Sequence, residues 1–230
     1  MLKGNVTLRF VEPGIYSVLP SNESGNEYDT KFGVFYDLVA CNPIYNRLIW
    51  GYSVKVFEEI AQDALNSSSN GAVLDLGCGG LAFTAKIYSN YTKRPVVLAD
   101  QSLKMLKMAK KRIEKHSGSM PVNLVFLHAD ALDLPFKDKS FETILSENLL
   151  HCLRDTSILL EQLKKIKASD GKIYFTTLIK NNRFSDKYLE ALAEKGKIVP
   201  RFEEDHQRIF SECGLEAKYE STGNALSIRC

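Results

Sequence analysis

The residues best suited to chemistry begin with Val73-Leu74-Asp75-Leu76-Gly77-Cys78-Gly79-Gly80-Leu81-Ala82, a short apolar run that ends in a glycine cluster. Glycine admits positive φ and leaves no Cβ between the backbone and a ligand. A turn of this kind, leading from a strand into a helix, lies where open α/β sheets hold their ligands. Gly77, Gly79 and Ala82 also fit the spacing of a dinucleotide-binding turn with alanine in the third place. A plain structural turn without a ligand is the alternative reading of the glycines. A second apolar run, Val96-Val97-Leu98-Ala99-Asp100, ends in a carboxylate, and at about 20 residues' remove such a group can accept hydrogen bonds from both ribose hydroxyls. The competing use of Asp100 is to cap the next helix, although Ser102 is better placed for that. Together, the turn and the carboxylate point to a cofactor built on adenosine.

Two further acids discriminate among such cofactors. Asp75 stands immediately before the glycine turn, awkward beside a pyrophosphate but suited to a cationic amino group. Asp130 follows a third apolar run, in His128-Ala129-Asp130-Ala131-Leu132-Asp133-Leu134-Pro135-Phe136. Its carboxylate can accept an adenine amino group while Ala131 offers a backbone N–H and Leu132 packs on the ring; an ordinary turn aspartate is the alternative. These acids favour S-adenosylmethionine (SAM) over a nicotinamide dinucleotide, and so methyl transfer. The rival reading, an NAD-dependent oxidoreductase using Gly77, Gly79 and Ala82, leaves Asp130 idle and a long stretch ahead of the first strand. A third reading is a protein that binds SAM without catalysis.

These residues need a scaffold that brings strand ends together. Strands are expected at 72–76, 95–100, 122–128, 141–146 and 171–178, with helices near 82–91, 102–116 and 156–167. The alternation predicts an α/β fold, a doubly wound parallel sheet with helices on both faces. Residues 5–19 read as a hairpin and 43–65 as a helical region. A helix near 203–213 is followed by strand-like pieces at 215–221 and 225–229, so one terminal strand must run antiparallel. The 230 residues suffice for one such domain, and 44% hydrophobic with 25% charged residues suits a soluble globular protein. A net charge of +2 gives no general basis for binding nucleic acid. No run is long enough for a membrane span, and no signal-peptide pattern opens the chain. Cysteines at 41, 78, 152, 213 and 230 include no close pair. That favours reduced thiols over a disulfide framework or a metal site, and a cytoplasmic location.

In this order, the residues are similar to those of class I SAM-dependent methyltransferases, in the small-molecule branch of the ubiquinone and menaquinone C-methyltransferases. The resemblance runs over about 34–229. It rests on Tyr36-Asp37, Asn46-Arg47-Leu48, the glycine turn, Asp100 with Ser102, Met105 and Leu106, Asp130-Ala131 with Leu134-Pro135-Phe136, Ser140-Phe141-Glu142, and Leu150-His151. It implies a Rossmann-like, seven-stranded, mostly parallel sheet of order 3-2-1-4-5-7-6 with strand 7 antiparallel. It further implies that Asp75, Gly77 and Gly79 serve the methionine end, Asp100 with its neighbour Gln101 the ribose, and Asp130 with Ala131 the adenine. Ser146 and Glu147 would border the sulfonium. Leu81 stands where the family commonly has its third glycine. Its side chain either crowds the methionine tail or turns into the helix–sheet packing.

Methyl transfer is an in-line displacement at an activated carbon, so alignment does most of the work, worth about 7–11 kcal/mol when the near-attack geometry is held. A general base matters only for acceptors that lose a proton, adding about 10²–10⁴-fold. His151 is the first candidate for that base, against the alternative of a packed histidine. Tyr36, Tyr45 and Glu147 follow, while His116 and His206 read as surface groups. The whole chain is expected to be one domain, with a hairpin and helical cap at 1–66 and a lid-like insertion at 181–202. Aromatics in these two segments (Tyr28, Phe32, Phe35, Tyr36, Tyr45, Trp50, Tyr52, then Phe184, Tyr188 and Phe202) suit a small apolar or aromatic acceptor, or simply cover the sheet. A monomer or homodimer is expected. Asn42-Pro43-Ile44-Tyr45 reads as a helix start, and the basic run from Lys104 to Lys115 as the solvated face of a helix.

Overall fold

The computed structural model describes residues 1–20, 42–67 and 70–230. Its first two strands, β1 (Arg9–Glu12) and β2 (Ile15–Ser17), form the expected hairpin. Five parallel strands follow: β3 (Val73–Leu76), β4 (Val96–Asp100), β5 (Leu124–His128), β6 (Phe141–Glu147) and β7 (Lys167–Leu178). The chain ends with β8 (Lys218–Thr222) and β9 (Ala225–Arg229), an antiparallel pair of which β9 also runs antiparallel to β7. The full sheet reads β1-β2-β5-β4-β3-β6-β7-β9-β8.

From β5 to β8 this is the expected order, but among the described residues the sheet has nine strands, not seven. The N-terminal hairpin joins its edge, with Ile15–Ser17 lying parallel to Phe126–His128. The physical reason is the row of N–H and C=O groups that β5 would otherwise leave unpaired. Ile15 is fully buried there.

The helices are α1 (Lys55–Leu65), α2 (Ala85–Ser89), α3 (Leu103–Ser117), α4 (Thr156–Ile166), α5 (Asp186–Glu194) and α6 (Glu203–Glu212). Alternate residues of each central strand feed opposite faces. Val73, Val96, Leu98 and Phe126 pack under Leu106, Ala109 and Ile113 of α3. Leu74, Leu76 and Ile144 pack with Leu159 and Leu163 of α4 and Phe210 of α6. Ser102 caps α3 as expected, its Oγ accepting the Met105 N–H at 3.2 Å. Residues 43–65 are not one helix. Asn42 starts a short turn by accepting the N–H groups of Ile44 and Tyr45. The turn continues as a π-turn over Asn46–Trp50 and stops at Gly51, whose φ is +70°.

The basic face of α3 is partly employed. Lys110 lies 3.1 Å from the Glu12 carboxylate of β1, and Arg112 donates to the Gly80 carbonyl at 2.6 Å. The helix thus ties the edge hairpin and the glycine turn to one body. Among the described residues no helix is long and apolar enough to cross a membrane.

Candidate cofactor and acceptor site

The glycine turn follows β3 at the carboxyl edge of the sheet. Gly77, Gly79 and Leu81 have φ values of +72°, +54° and +52°. Gly77 and Cys78 both donate to the Ala99 carbonyl, at 2.8 and 3.1 Å. A Cβ on Gly77 would approach the Leu149 side chain to 3.2 Å, whereas one on Gly79 would meet nothing within 4 Å. Gly79 therefore borders open space. Leu81 is buried in the cluster containing Ala85, Tyr88 and Leu98, which resolves its two possible orientations in favour of packing. The left-handed backbone costs a leucine about 1–2 kcal/mol, and burial of the side chain offsets that cost.

Asp100 terminates β4 and shapes the turn. Its Oδ2 accepts the Gly79 N–H and its Oδ1 the Ser102 N–H, both at 2.8 Å. The Ala129 N–H donates to the Asp100 carbonyl at 3.1 Å, which brings Asp130 to the same edge. Asp130 accepts the Leu132 N–H at 2.8 Å, and Leu132 is 39% exposed. Gly79, Asp100 and Asp130 thus stand at the ends of three adjacent strands. His128, which had no role in the sequence reading, links this edge to the hairpin. Its ring nitrogens lie 2.9 Å from the Ser17 hydroxyl and 3.0 Å from the Gln101 carbonyl. No spacing in the sequence signals that contact, because Ser17 and His128 meet only through the β2–β5 pairing.

The electrostatics centre on two acids. Asp75 is 1% exposed; its Oδ2 accepts the Tyr88 hydroxyl at 2.7 Å, and its Oδ1 is buried without a partner among the described residues. The Oε1 of Glu147 and Oδ1 of Asn148 are buried and unpartnered in the same way. Burial raises the Asp75 pKa to about 7, opposed by the Tyr88 hydrogen bond and assisted by Asp100. Burial, then the charge of Asp75, pushes Glu147 well above the usual carboxylate range. Tyr88 and Cys78 are also driven up, first by burial and then by neighbouring acids. Buried carboxyl oxygens without partners are costly unless a cation or donor meets them. SAM carries two positive centres, an ammonium and a sulfonium, so the residues present fit it.

Several expected residues require correction. Ser146 is wholly buried and its hydroxyl donates to the Leu76 carbonyl at 2.9 Å. It ties β6 to β3, so its side chain is not offered to a cofactor. His151 is 1% exposed, and its Nδ1 accepts the Leu178 N–H at 3.2 Å beside the Thr177 hydroxyl at 3.1 Å. Burial, with His206 and Arg201 nearby, lowers its pKa to about 3. With Nδ1 accepting, the proton of the neutral ring sits on Nε2, and no lone pair remains for a general base. His206 is no surface group but fully buried, with neither ring nitrogen partnered among the described residues. Trp50 and Tyr52 belong to the core, the Tyr52 hydroxyl donating to Asn46 at 2.8 Å. Tyr28, Phe32, Phe35 and Tyr36 lie outside the described residues.

Beyond the glycine turn, Phe83 stacks on Phe57 with centroids 5.1 Å apart, in a cluster with Trp50, Tyr52, Leu178 and Leu189. Next to that cluster opens a cleft of about 520 Å³ lined by Tyr45, Leu48, Ile49, Arg183, Phe184 and Tyr188, among others. Burial and a hydrogen bond with Tyr188 push the Tyr45 pKa up to about 12. One node holds these walls together. Asn224 is fully buried; its Nδ2 donates to the Ile179 carbonyl and to Asp186 Oδ1, each at 2.8 Å, and its Oδ1 accepts from Ser185 at 2.6 Å. Its N–H donates to the Trp50 carbonyl at 2.9 Å.

Residues 67–212 match the family model described as a methyltransferase domain. The chain is 27% identical over 106 residues to a malonyl-[acyl-carrier protein] O-methyltransferase of Legionella pneumophila, covering 46% of this chain and 36% of that protein. It is 26% identical over 174 residues to a ubiquinone/menaquinone biosynthesis C-methyltransferase of Vibrio cholerae, covering 68% of this chain and 66% of that one. The matches thus span about a third to two thirds of these two relatives. In fold it is similar to a SAM-dependent methyltransferase of Aquifex aeolicus, with a TM-score of 0.59, 19% identity, and 85% and 96% of the two chains covered.

Proposed function

The chain belongs to the methyltransferase-domain family, and we propose that it transfers a methyl group from SAM to a small acceptor with an apolar or aromatic body. It is a class I SAM-dependent methyltransferase, and SAM is its cofactor. The oxidoreductase reading falls with the family, and release of S-adenosylhomocysteine tests the non-catalytic one. The observation that supports the residue roles best is the pair of acids, buried Asp75 and half-buried Glu147, each with a buried oxygen left unpartnered among the described residues, beside an open glycine turn.

Bound SAM supplies a methyl group on a positively charged sulfur. In our reading, Asp75 and Glu147 face its two cationic centres, and the Gly77–Gly79 backbone leaves room for the methionine tail. Asp100, with Gln101 beside it, receives the ribose hydroxyls, while Asp130 and Ala131 take the adenine edge. The chain works chiefly by holding donor and acceptor in line, the geometry from which orientation draws its effect. Tyr45 remains protonated near neutral pH, so it lines the acceptor side without acting as a base. Tyr36 is retained as an acceptor-side candidate on its sequence position. Residues 1–230 are read as one domain, in which the turn after Asn42 and residues 181–202 build the acceptor side.

Calorimetric titration with SAM and with NAD tests the cofactor assignment, and release of S-adenosylhomocysteine across a panel of hydroxyaromatic acceptors tests the chemistry. SAM binding and turnover on at least one aromatic acceptor are expected. Turnover confined to strongly polar, non-aromatic acceptors would sink the acceptor class.

A further inference from the structure

The cleft beside Tyr45 has an unusual surface. Ile44, Leu48 and Ile49 of the turn after Asn42, with Phe184 and Tyr188 near the start of α5, are all exposed. Leu48 is 75% and Phe184 88% exposed. So much apolar surface gathered at one opening marks a place that something covers. Among the described residues the charges there are of one sign. Arg183 and Lys187 line the cleft, Arg47 is exposed on the adjoining π-turn, and no described lining residue is acidic. The nearest acid in sequence, Asp186, is buried and already accepts from the backbone N–H groups of Asn181 and Arg183 and from Asn224. Glu190 is engaged by Lys180 at 2.7 Å. The Lys187 ammonium lies 5.6 Å over the Phe184 ring, and the Arg183 guanidinium fills the space that a Cβ on Gly51 would need. That glycine lets the guanidinium lie against the backbone.

We propose that the cleft binds an amphiphilic organic acid, its apolar or aromatic body against Leu48, Ile49, Phe184 and Tyr188 and its carboxylate, sulfonate or phosphate on Arg183 and Lys187. The proposal rests on the reading of this cleft as the acceptor side, and it narrows the acceptor to acids. Arg183 supplies the planar fork that pairs with such anions, and Lys187 a point charge beside it. A volume of about 520 Å³ suits a discrete small molecule. The same chemistry occurs in anionic lipid headgroups, and the test separates the two sources.

The whole chain is titrated with two fluorescent probes of nearly equal apolar body, anionic 8-anilinonaphthalene-1-sulfonate and neutral N-phenyl-1-naphthylamine. The anionic probe should bind with one-to-one stoichiometry and weaken with salt. Arg183→Glu and Lys187→Glu should each cost it about tenfold or more in affinity while leaving the neutral probe unchanged. Phe184→Asp should weaken both probes. Unchanged SAM affinity in each variant shows that the fold is intact. The proposal is overturned if charge reversal affects both probes alike. It is also overturned if the soluble sulfonate fails to bind while phosphatidylglycerol vesicles do, which would assign the patch to a lipid surface. If the sulfonate binds as described but does not compete with methyl transfer to a hydroxyaromatic acid, the acid site stands and the acceptor-side reading fails instead.

Discussion

Asp75 is buried and its charge acts on the half-buried Glu147, and without a cation nearby each is held toward its protonated form. The folded chain keeps a proton on Asp75 that the unfolded chain has released, so its contribution lowers stability as pH rises from about 4 to about 7. A bound cation favours the ionised acids, so SAM binding should expel protons and tighten between about pH 6 and 8. Calorimetry in phosphate and in Tris reads the protons directly. We expect roughly one released per SAM, reduced in Asp75→Asn; identical observed enthalpies in the two buffers, before any correction for buffer ionisation, would contradict this. Asp100 acts by geometry as well as charge, since it holds the Gly79 N–H. Hydrogen bonds to a charged group are worth about 1.5–3 kcal/mol, so Asp100→Ala should weaken SAM by about 10–100-fold with the circular dichroism spectrum unchanged. Unaltered affinity would remove Asp100 from the ribose assignment.

At the scale of elements, two packing nodes position the site. Asn224 joins the β8–β9 turn to the start of α5 and to Trp50. Asn224→Ala strips partners from Ile179, Asp186 and Ser185 and should cost about 2–3 kcal/mol, read as a lower urea midpoint with faster hydrogen exchange in α5. Exchange unchanged in α5 would show that the node does not hold that helix. The second node is the cluster of His151, Arg201 and His206, the last on the buried face of α6. Burial lowers both histidines, to about 3 and about 4. The unfolded chain therefore takes up protons first, and stability is lost as pH falls from about 6.5 toward 4. The acids of the cofactor site act in the opposite direction over part of that range, so the variant is more diagnostic than the wild-type curve. His206→Phe removes two buried nitrogens without partners, and should raise the melting temperature while flattening its fall in acid. A steeper fall would refute this account.

For the molecule as a whole, the edge hairpin has consequences at a distance. Ile15 seals the outer face of β5, and Ser17 reaches Gln101 through His128. Ile15→Ala should cost about 2–5 kcal/mol, whereas Ser17→Ala should cost less stability yet weaken SAM, because the loop after Asp100 loses its support. Comparison of denaturation midpoints with SAM affinity for the two variants separates these effects. Equal SAM affinity in Ser17→Ala and wild type would restrict the hairpin to edge protection.

The strand–helix alternation, the glycine turn and the acids at 75, 100 and 130 were legible in the sequence because each is a local matter of periodicity, backbone freedom or strand ends. So was the antiparallel finish, since a two-stranded return beside a parallel sheet leaves no alternative. Other features were decided by contacts between segments remote in the chain. Ser17 with His128 and Asn224 with Asp186 meet only in the assembled fold. The fates of Leu81, His151 and His206 followed from burial, which residue type alone does not specify. A histidine near a strand end suits a base or a core equally, until its neighbours determine which nitrogen carries the proton.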